Sequence, residues 1–291
     1  MPNTRDIRNR IRGVRNTQKI TRAMQLVAAS KMKKAQDRAL EGRPYATQLA
    51  RMLASLTGKL EDFSHPFFRQ RDVRKRGILL ISTDRGLCGA LNANLFREVA
   101  KLERNESAFV TIGRKARQFI SRTNRELIAD FPVSEAAHFK ELRPVIEFLI
   151  EQFNEGSIDT IEVLFPRFKN TLIQEPVLMP LLPLTNLKKH IAEVAKAENR
   201  QLVEDSREFL FEPDPERILN SLLERYVKRE AYQMLVDARA SEHSARMVAM
   251  KAATDNAKKL TDSLTLQYNK ARQAGITQEI LEITAATLHS G

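Results

Sequence analysis

The six residues Asp84-Arg85-Gly86-Leu87-Cys88-Gly89 follow the apolar run Gly77-Ile78-Leu79-Leu80-Ile81. A turn in that place, after a strand and before a helix, is where an α/β sheet holds a phosphate on backbone N–H groups. The pattern here is only G-x-x-G. It is neither the dinucleotide fingerprint G-x-G-x-x-G nor the phosphate loop G-x-x-x-x-G-K-[ST], and the latter occurs nowhere in the chain. The spacing therefore predicts a tight structural turn rather than a ligand cradle. Cys88 is the second chemical candidate, because a thiolate is a nucleophile, yet none of the five histidines lies near it in sequence. A buried structural thiol is expected. His65, His138, His190, His243 and His289 are scattered without metal-ligand spacing, and no carboxylate pair stands out. The residues thus predict no catalytic, cofactor-binding or metal-binding site, and no cofactor.

The elements around that turn alternate. Gly77–Ile81 reads as a buried strand, Leu91 to Arg104 as a helix, Ala108 to Ile112 as a second strand and Gly113 to Ser121 as a helix. A third strand is expected near Glu126 to Ile128, a helix over Pro144 to Phe153, and a strand over Ile158 to Phe165. This alternation predicts a small open α/β (Rossmann-like) sheet. The stretch 59–75 reads as a charged connector, and Pro166, Pro176, Pro180 and Pro183 break up 166–212 so that its elements cannot be assigned.

Two long helices frame the sheet. The first is expected from residue 3 to about 57, with Ile7, Ile11, Val14, Thr21, Met24 and Ala28 on one face and a bend near Gly42-Arg43-Pro44. The second opens on Asp214-Pro215-Glu216, an N-cap acceptor followed by proline at the first helical position and an acid against the dipole. No proline follows it. Met234, Ala238, Ser241, Ala245, Val248, Ala252, Leu260, Leu264, Tyr268 and Ala271 are read as its stripe. Some seventy residues at about 1.5 Å each make a rod of roughly 100 Å, far longer than an ordinary helix. Apolar stripes on helices from both chain ends predict an antiparallel coiled coil with the α/β domain inserted. The expected division is a shaft helix over 1–58, a globular domain over 74–212 and a second shaft helix over 213–291.

The net charge is +12 over 291 residues, and residues 1–57 carry most of it, with thirteen basic side chains against three acidic. Nucleic acid, an anionic membrane or an acidic protein surface would each suit such a segment. Against nucleic acid, no aromatics interleave with the basic residues and no zinc-finger spacing occurs. The single cysteine excludes an internal disulfide. The start of the sequence lacks an apolar signal core, and no run of eighteen apolar residues exists, so the chain is expected to be cytosolic or to reach a membrane only through partners.

Asn16-Thr17-Gln18-Lys19-Ile20-Thr21-Arg22-Ala23-Met24 with Val27-Ala28-Ala29-Ser30-Lys31-Met32 closely resembles the N-terminal signature of the F-type ATP synthase gamma subunit family. So do Thr83 to Gly89, Phe211-Glu212-Pro213-Asp214-Pro215, Ser241 to Lys251, and Tyr268 to Gln273 with Ile276 to Ile280. These blocks keep the family's order and span nearly the whole chain. The chain departs at its end, where Ile283-Thr284-Ala285-Ala286-Thr287 replaces a glycine-containing tail, and it lacks the cysteine pair of the chloroplast form. The resemblance implies a non-catalytic central-stalk rotor subunit of a proton-translocating F-type ATP synthase, coupling rotation of the membrane c-ring to ATP synthesis in the alpha/beta head. It implies alpha, beta and epsilon subunits and the c-ring as partners, no nucleic acid, and a peripheral place on the cytoplasmic face of the bacterial inner membrane. It also implies head contacts at Met24, Arg272, Gln273 and Thr277, and a c-ring contact at Glu212. Two rivals remain on the residues alone: a coiled-coil nucleic-acid-binding protein, which would show the steep salt slope of phosphate contacts, and an α/β enzyme with helical arms, which would turn over substrate by itself.

Overall fold

In a computed structural model, the described residues are 4–42, 45, 48–49, 52–53, 65–184 and 215–289. They fall into two compact units, one of residues 1–29 and 246–291, the other of residues 30–245.

The larger unit is built on five strands: β1 (Arg76–Ile81), β2 (Ser107–Ile112), β3 (Glu126–Phe131), β4 (Thr160–Phe168) and β5 (Gln174–Leu182). Their order across the sheet is β3-β2-β1-β4-β5. The first four are parallel, with Leu79 level with Val110 on one side and Val163 on the other, and β5 runs antiparallel to β4. Three shorter helices belong to this unit: α2 (Leu91–Lys101), α3 (Arg114–Arg122) and α4 (Phe139–Glu155). Because successive strand residues point to opposite faces, β1 supplies two cores. Ile78 and Leu80 pack with Phe109, Leu164, Leu95, Val99, Ala116 and Ile120 on one face. Leu79 and Ile81 face the other way, among Val163, Phe165, Leu149, Phe153 and the helical residues Leu219, Leu223 and Tyr226. Each such buried side chain is worth about 1.5–3 kcal/mol against exposure. The stacked rings of Phe96 and Phe119, 4.4 Å apart, tie α2 to α3.

Two long helices have residues in both units: α1 (Thr4–Glu41) and α5 (Pro215–His289). The start of α5 at Pro215 is the one its sequence predicts. In the smaller unit they lie antiparallel, since Arg8 meets Tyr268 and Thr21 meets Thr254. Buried or half-buried positions 7, 11, 14, 18, 21, 25 and 28 of α1 and 250, 254, 257, 261, 264, 268, 271 and 275 of α5 form one continuous line on each helix, with half-buried neighbours such as 24, 253, 265 and 274 flanking it. Steps of four and three in strict alternation are the seam of a coiled coil. The fold is therefore an antiparallel coiled coil with an inserted mixed α/β domain, as expected.

Several expectations need correcting. The stripe through Ala252 and Leu260 is not the seam: both are exposed, and Thr254, Ala257 and Thr261 fill those turns. A 3.5-residue repeat sets the phase, and small hydroxyl residues keep it where hydropathy misses them. The helix predicted from Pro144 begins at Phe139, with exposed Pro144 inside it. Leu142 is fully buried and fixes the extra turn. That helix ends at Gly156, at φ 79°, a conformation that favours glycine. The helix predicted to Arg104 stops at Lys101, and the strand predicted over 158–165 spans Thr160–Phe168. The proline-divided stretch contains β5, whose Pro176 and Pro180 are tolerated because it is an edge strand. The first helix ends at Glu41 with a turn at Gly42, while Arg43 and Pro44 of the predicted bend lie outside the described residues.

Candidate functional site

The turn after β1 is filled from within. Asp84 Oδ1 accepts the Arg114 N–H at 3.0 Å, the Thr83 carbonyl accepts that of Lys115 at 3.1 Å, and Ser82 Oγ accepts that of Ala116 at 2.8 Å. These are the first three N–H groups of α3, the helix after β2, so the turn after β1 caps the start of the neighbouring helix. Gly113, at φ 99°, brings this helix start so close to the Ser82 carbonyl that a Cβ would collide with it. Asn92 Nδ2 spans Thr83 Oγ1 at 2.8 Å and Cys88 Sγ at 3.4 Å, and Cys88 is buried. A tight turn and a buried thiol are what the sequence predicts; the bond from Arg114 N–H to Asp84 is not. Among the described residues no three metal-capable side chains converge, and no helix is long and apolar enough to cross a membrane.

The other expected site residues lie on the helix pair. Met24 is half-buried on α1, beside the seam. The 8–268 and 21–254 contacts put it level with about residue 251, so it stands roughly 30 Å along the axis from Arg272 at about 1.5 Å per residue. Met24 and the other three are not brought together. Arg272, Gln273 and Thr277 are all exposed on one stretch of α5. Thr277 Oγ1 bonds the Gln273 carbonyl at 3.0 Å, so these two share a face. The seam ends at Gly275, and after it Ile276, Ile280, Leu281 and Ile283 are exposed, Ile283 at 66%. Glu212 lies outside the described residues.

Two polar groups on α5 were not read from the sequence. Asp237 accepts the Phe168 N–H at 3.2 Å at the end of β4. Burial pushes its carboxyl up to about 6, against the opposing pull of that bond and of Arg167. Arg239 is buried, and it donates to Glu242 at 3.0 Å and to the Val133 carbonyl at 3.1 Å. A block around Ser241-Glu242-His243 was visible as a signature, but its partners in 133–137 are about a hundred residues away.

The helix pair and the five-stranded sheet define a coiled-coil protein with an inserted α/β domain. The family described as ATP synthase matches residues 3–287. The ATP synthase gamma chain of Opitutus terrae is 54% identical over 291 residues, covering 98% of each chain. That of Methylacidiphilum infernorum is 44% identical over the whole of both. Among solved structures, the central stalk/c-ring of the Tetrahymena thermophila mitochondrial ATP synthase matches at 26% identity and a TM-score of 0.57, over 80% of this chain and 99% of that one. A chain of the Euglena gracilis mitochondrial ATP synthase shares the fold, at 18% identity and a TM-score of 0.68, over 99% of this chain and 95% of that one. The chain belongs to the ATP synthase gamma-chain family. In that family it is the central-stalk rotor subunit, coupling rotation to catalysis in the alpha/beta head.

Proposed function

We propose that the far end of α5 is the part seated in the catalytic head, with Arg272, Gln273 and Thr277 as its polar contacts to the alpha and beta subunits and Met24 as a separate contact lower on the pair. The observation that carries this is the end of the seam at Gly275, which leaves Ile276, Ile280, Leu281 and Ile283 exposed just beyond those three residues. Four large aliphatics on one short exposed stretch suit an apolar sleeve. Arginine adds a planar fork for a carboxylate, and glutamine and threonine add neutral bonds. A rotating shaft delivers energy by contacting the three catalytic sites unequally, which requires contacts that differ between their states.

The proposed division is a shaft helix over 1–58, a foot domain over 74–212 and a second shaft helix over 213–291. The foot faces the epsilon subunit and the c-ring, with Glu212 as its c-ring contact, and ion flow through the ring, protons in this reading, turns it. The chain then sits peripherally on the cytoplasmic face of the bacterial inner membrane, held there by its partner subunits and binding no nucleic acid.

The test uses Ile280→Cys in the assembled enzyme, where buried Cys88 leaves the new thiol as the reactive one on this chain. A short thiol crosslinker should join it to an alpha or beta subunit. Crosslinks only to epsilon or to c subunits would reverse the proposed orientation.

A further inference from the structure

Arg229 lies in the part of α5 that belongs to the larger unit, and its side chain reaches the end of α1. A Cβ on Gly42 would collide with Arg229 Nη2, so the guanidinium lies directly on the turn that closes α1. The residue is 8% exposed. Its Nε and Nη2 are buried and make no hydrogen bond. Nη1 is the one guanidinium nitrogen outside that buried set, and it too has no hydrogen-bond partner among the described residues. Burial pushes the guanidinium below its ordinary value, against the pull of Glu230, Tyr232 and Tyr45, none of which bonds it. Arg239, equally buried, places both of its terminal nitrogens on acceptors. Arg229 places none. Arginine stays charged, so the chain by itself carries an uncompensated cation in this seat, which is costly to keep.

Aromatic rings stand around the open nitrogen. The Tyr232 ring centroid is 5.4 Å from Arg229 Cζ, and Phe139 meets Tyr232 edge to face at 5.4 Å. Phe139 is 42% exposed and Tyr45 is 53% exposed. Exposed rings around a desolvated arginine are the composition of the centre of a protein–protein interface. The unpaired charge selects the partner, which must be acidic.

We propose that this face of the larger unit docks an acidic segment of a partner subunit, which brings a carboxylate to Arg229 Nη1 and lays apolar surface on Tyr45 and Phe139. Only Nη1 is open, so the contact is one charge-assisted bond rather than a bidentate fork. The rings exclude water around that bond, and the carboxylate removes the unpaired charge. The inference does not depend on which end of the helix pair enters the head, because the whole surface lies within one unit of this chain. A cation at the C-terminal end of a helix is also favoured by the helix dipole, so Arg229 serving α1 alone is the competing role. The two roles differ in sign.

Arg229→Met keeps the length of the side chain and removes its charge. In the purified full-length chain it should raise the urea midpoint, because an uncompensated buried cation is gone. The partner is found with Tyr45→Cys carrying a benzophenone in the assembled enzyme, since Tyr45 is exposed and Cys88 is buried. Mass spectrometry of the photoproduct should return a peptide of another subunit that contains Asp or Glu. Release of that subunit from the immobilised enzyme should then be about tenfold faster with Arg229→Met, the size of one charge-assisted bond. A midpoint of the free Arg229→Met chain that falls or stays put assigns the guanidinium to the end of α1 and overturns the proposal. A photoproduct confined to this chain, a crosslinked peptide without an acid, or an unchanged release rate overturns it as well.

Discussion

Thr21 and Thr254 meet hydroxyl to hydroxyl at 2.8 Å across the seam of the helix pair. Thr254 also reaches the Met250 carbonyl at 2.8 Å, and Thr261 the Ala257 carbonyl at 2.9 Å. Threonine can sit in this seam because its hydroxyl finds an acceptor one turn back, while its methyl group packs.

That pair predicts a non-additive cycle. Thr21→Val or Thr254→Val alone should cost roughly 0.5–1.5 kcal/mol, since each removes the bond across the seam, although the remaining hydroxyl keeps a carbonyl one turn back. The double variant should cost less than the sum of the two. Urea unfolding followed by circular dichroism gives the three values, and strict additivity would show that the hydroxyls do not interact.

Asp237 sets a pH dependence of known sign. Its folded value of about 6 lies above its ordinary 3.8, so the folded chain holds the proton more tightly than the unfolded one. The stability it contributes is full below about pH 4 and is lost as pH rises to about 6. At neutral pH the ionised form is a net cost of order 2–3 kcal/mol, from about 1.4 kcal/mol per pH unit. Asp237→Asn should raise stability at pH 7.5, leave it nearly unchanged at pH 4, and keep an acceptor for the Phe168 N–H. Denaturation midpoints at the two pH values decide it, and equal effects at both would remove Asp237 as the titrating group.

Gly113 should be intolerant of any side chain. Gly113→Ala places a Cβ against the Ser82 carbonyl at a backbone angle alanine avoids, and should destabilise the sheet domain by roughly 2–4 kcal/mol. Gly13, with open space around it, provides the contrast. Gly13→Ala should be neutral or stabilising by up to about 1 kcal/mol. Thermal unfolding of the two variants should separate them clearly.

For the shaft end, Arg272→Ala combined with Gln273→Ala should lower both ATP synthesis and steady-state hydrolysis and loosen the chain in an immobilised head. Each charge-assisted bond lost is worth roughly 1.5–3 kcal/mol and each neutral one about 1. Both residues are exposed, so helix content should stay at the wild-type value. Unaltered rate and retention would take these residues off the contact surface.

What was legible in the sequence follows from how local its cause is. Gly77 to Ile81 is a run of buried residues serving two cores, and Asp214-Pro215-Glu216 is a helix start written in three residues; both could be read directly. The β5 strand could not, because Pro176 and Pro180 argue against a strand unless its place at the sheet edge is known. Phase was lost where Thr254 and Thr261 replace apolar residues in the seam, while Ala252 and Leu260 sit outside it. The Arg229 seat was hidden for another reason. Its parts come from Gly42 and Tyr45, from Phe139, and from Arg229 with Tyr232, and nothing in any one of them announces the other two.

The two prolines of β5 have one more consequence. They are four residues apart, so their missing N–H groups fall on the same side of an extended strand. The strand beside them, β4, already has a partner on each side. A foreign strand arriving at the β5 margin would find a hydrogen-bond ladder with rungs absent at both positions. Edge-to-edge pairing of two copies along that margin would lack those bonds, which makes it a poor template for sheet extension.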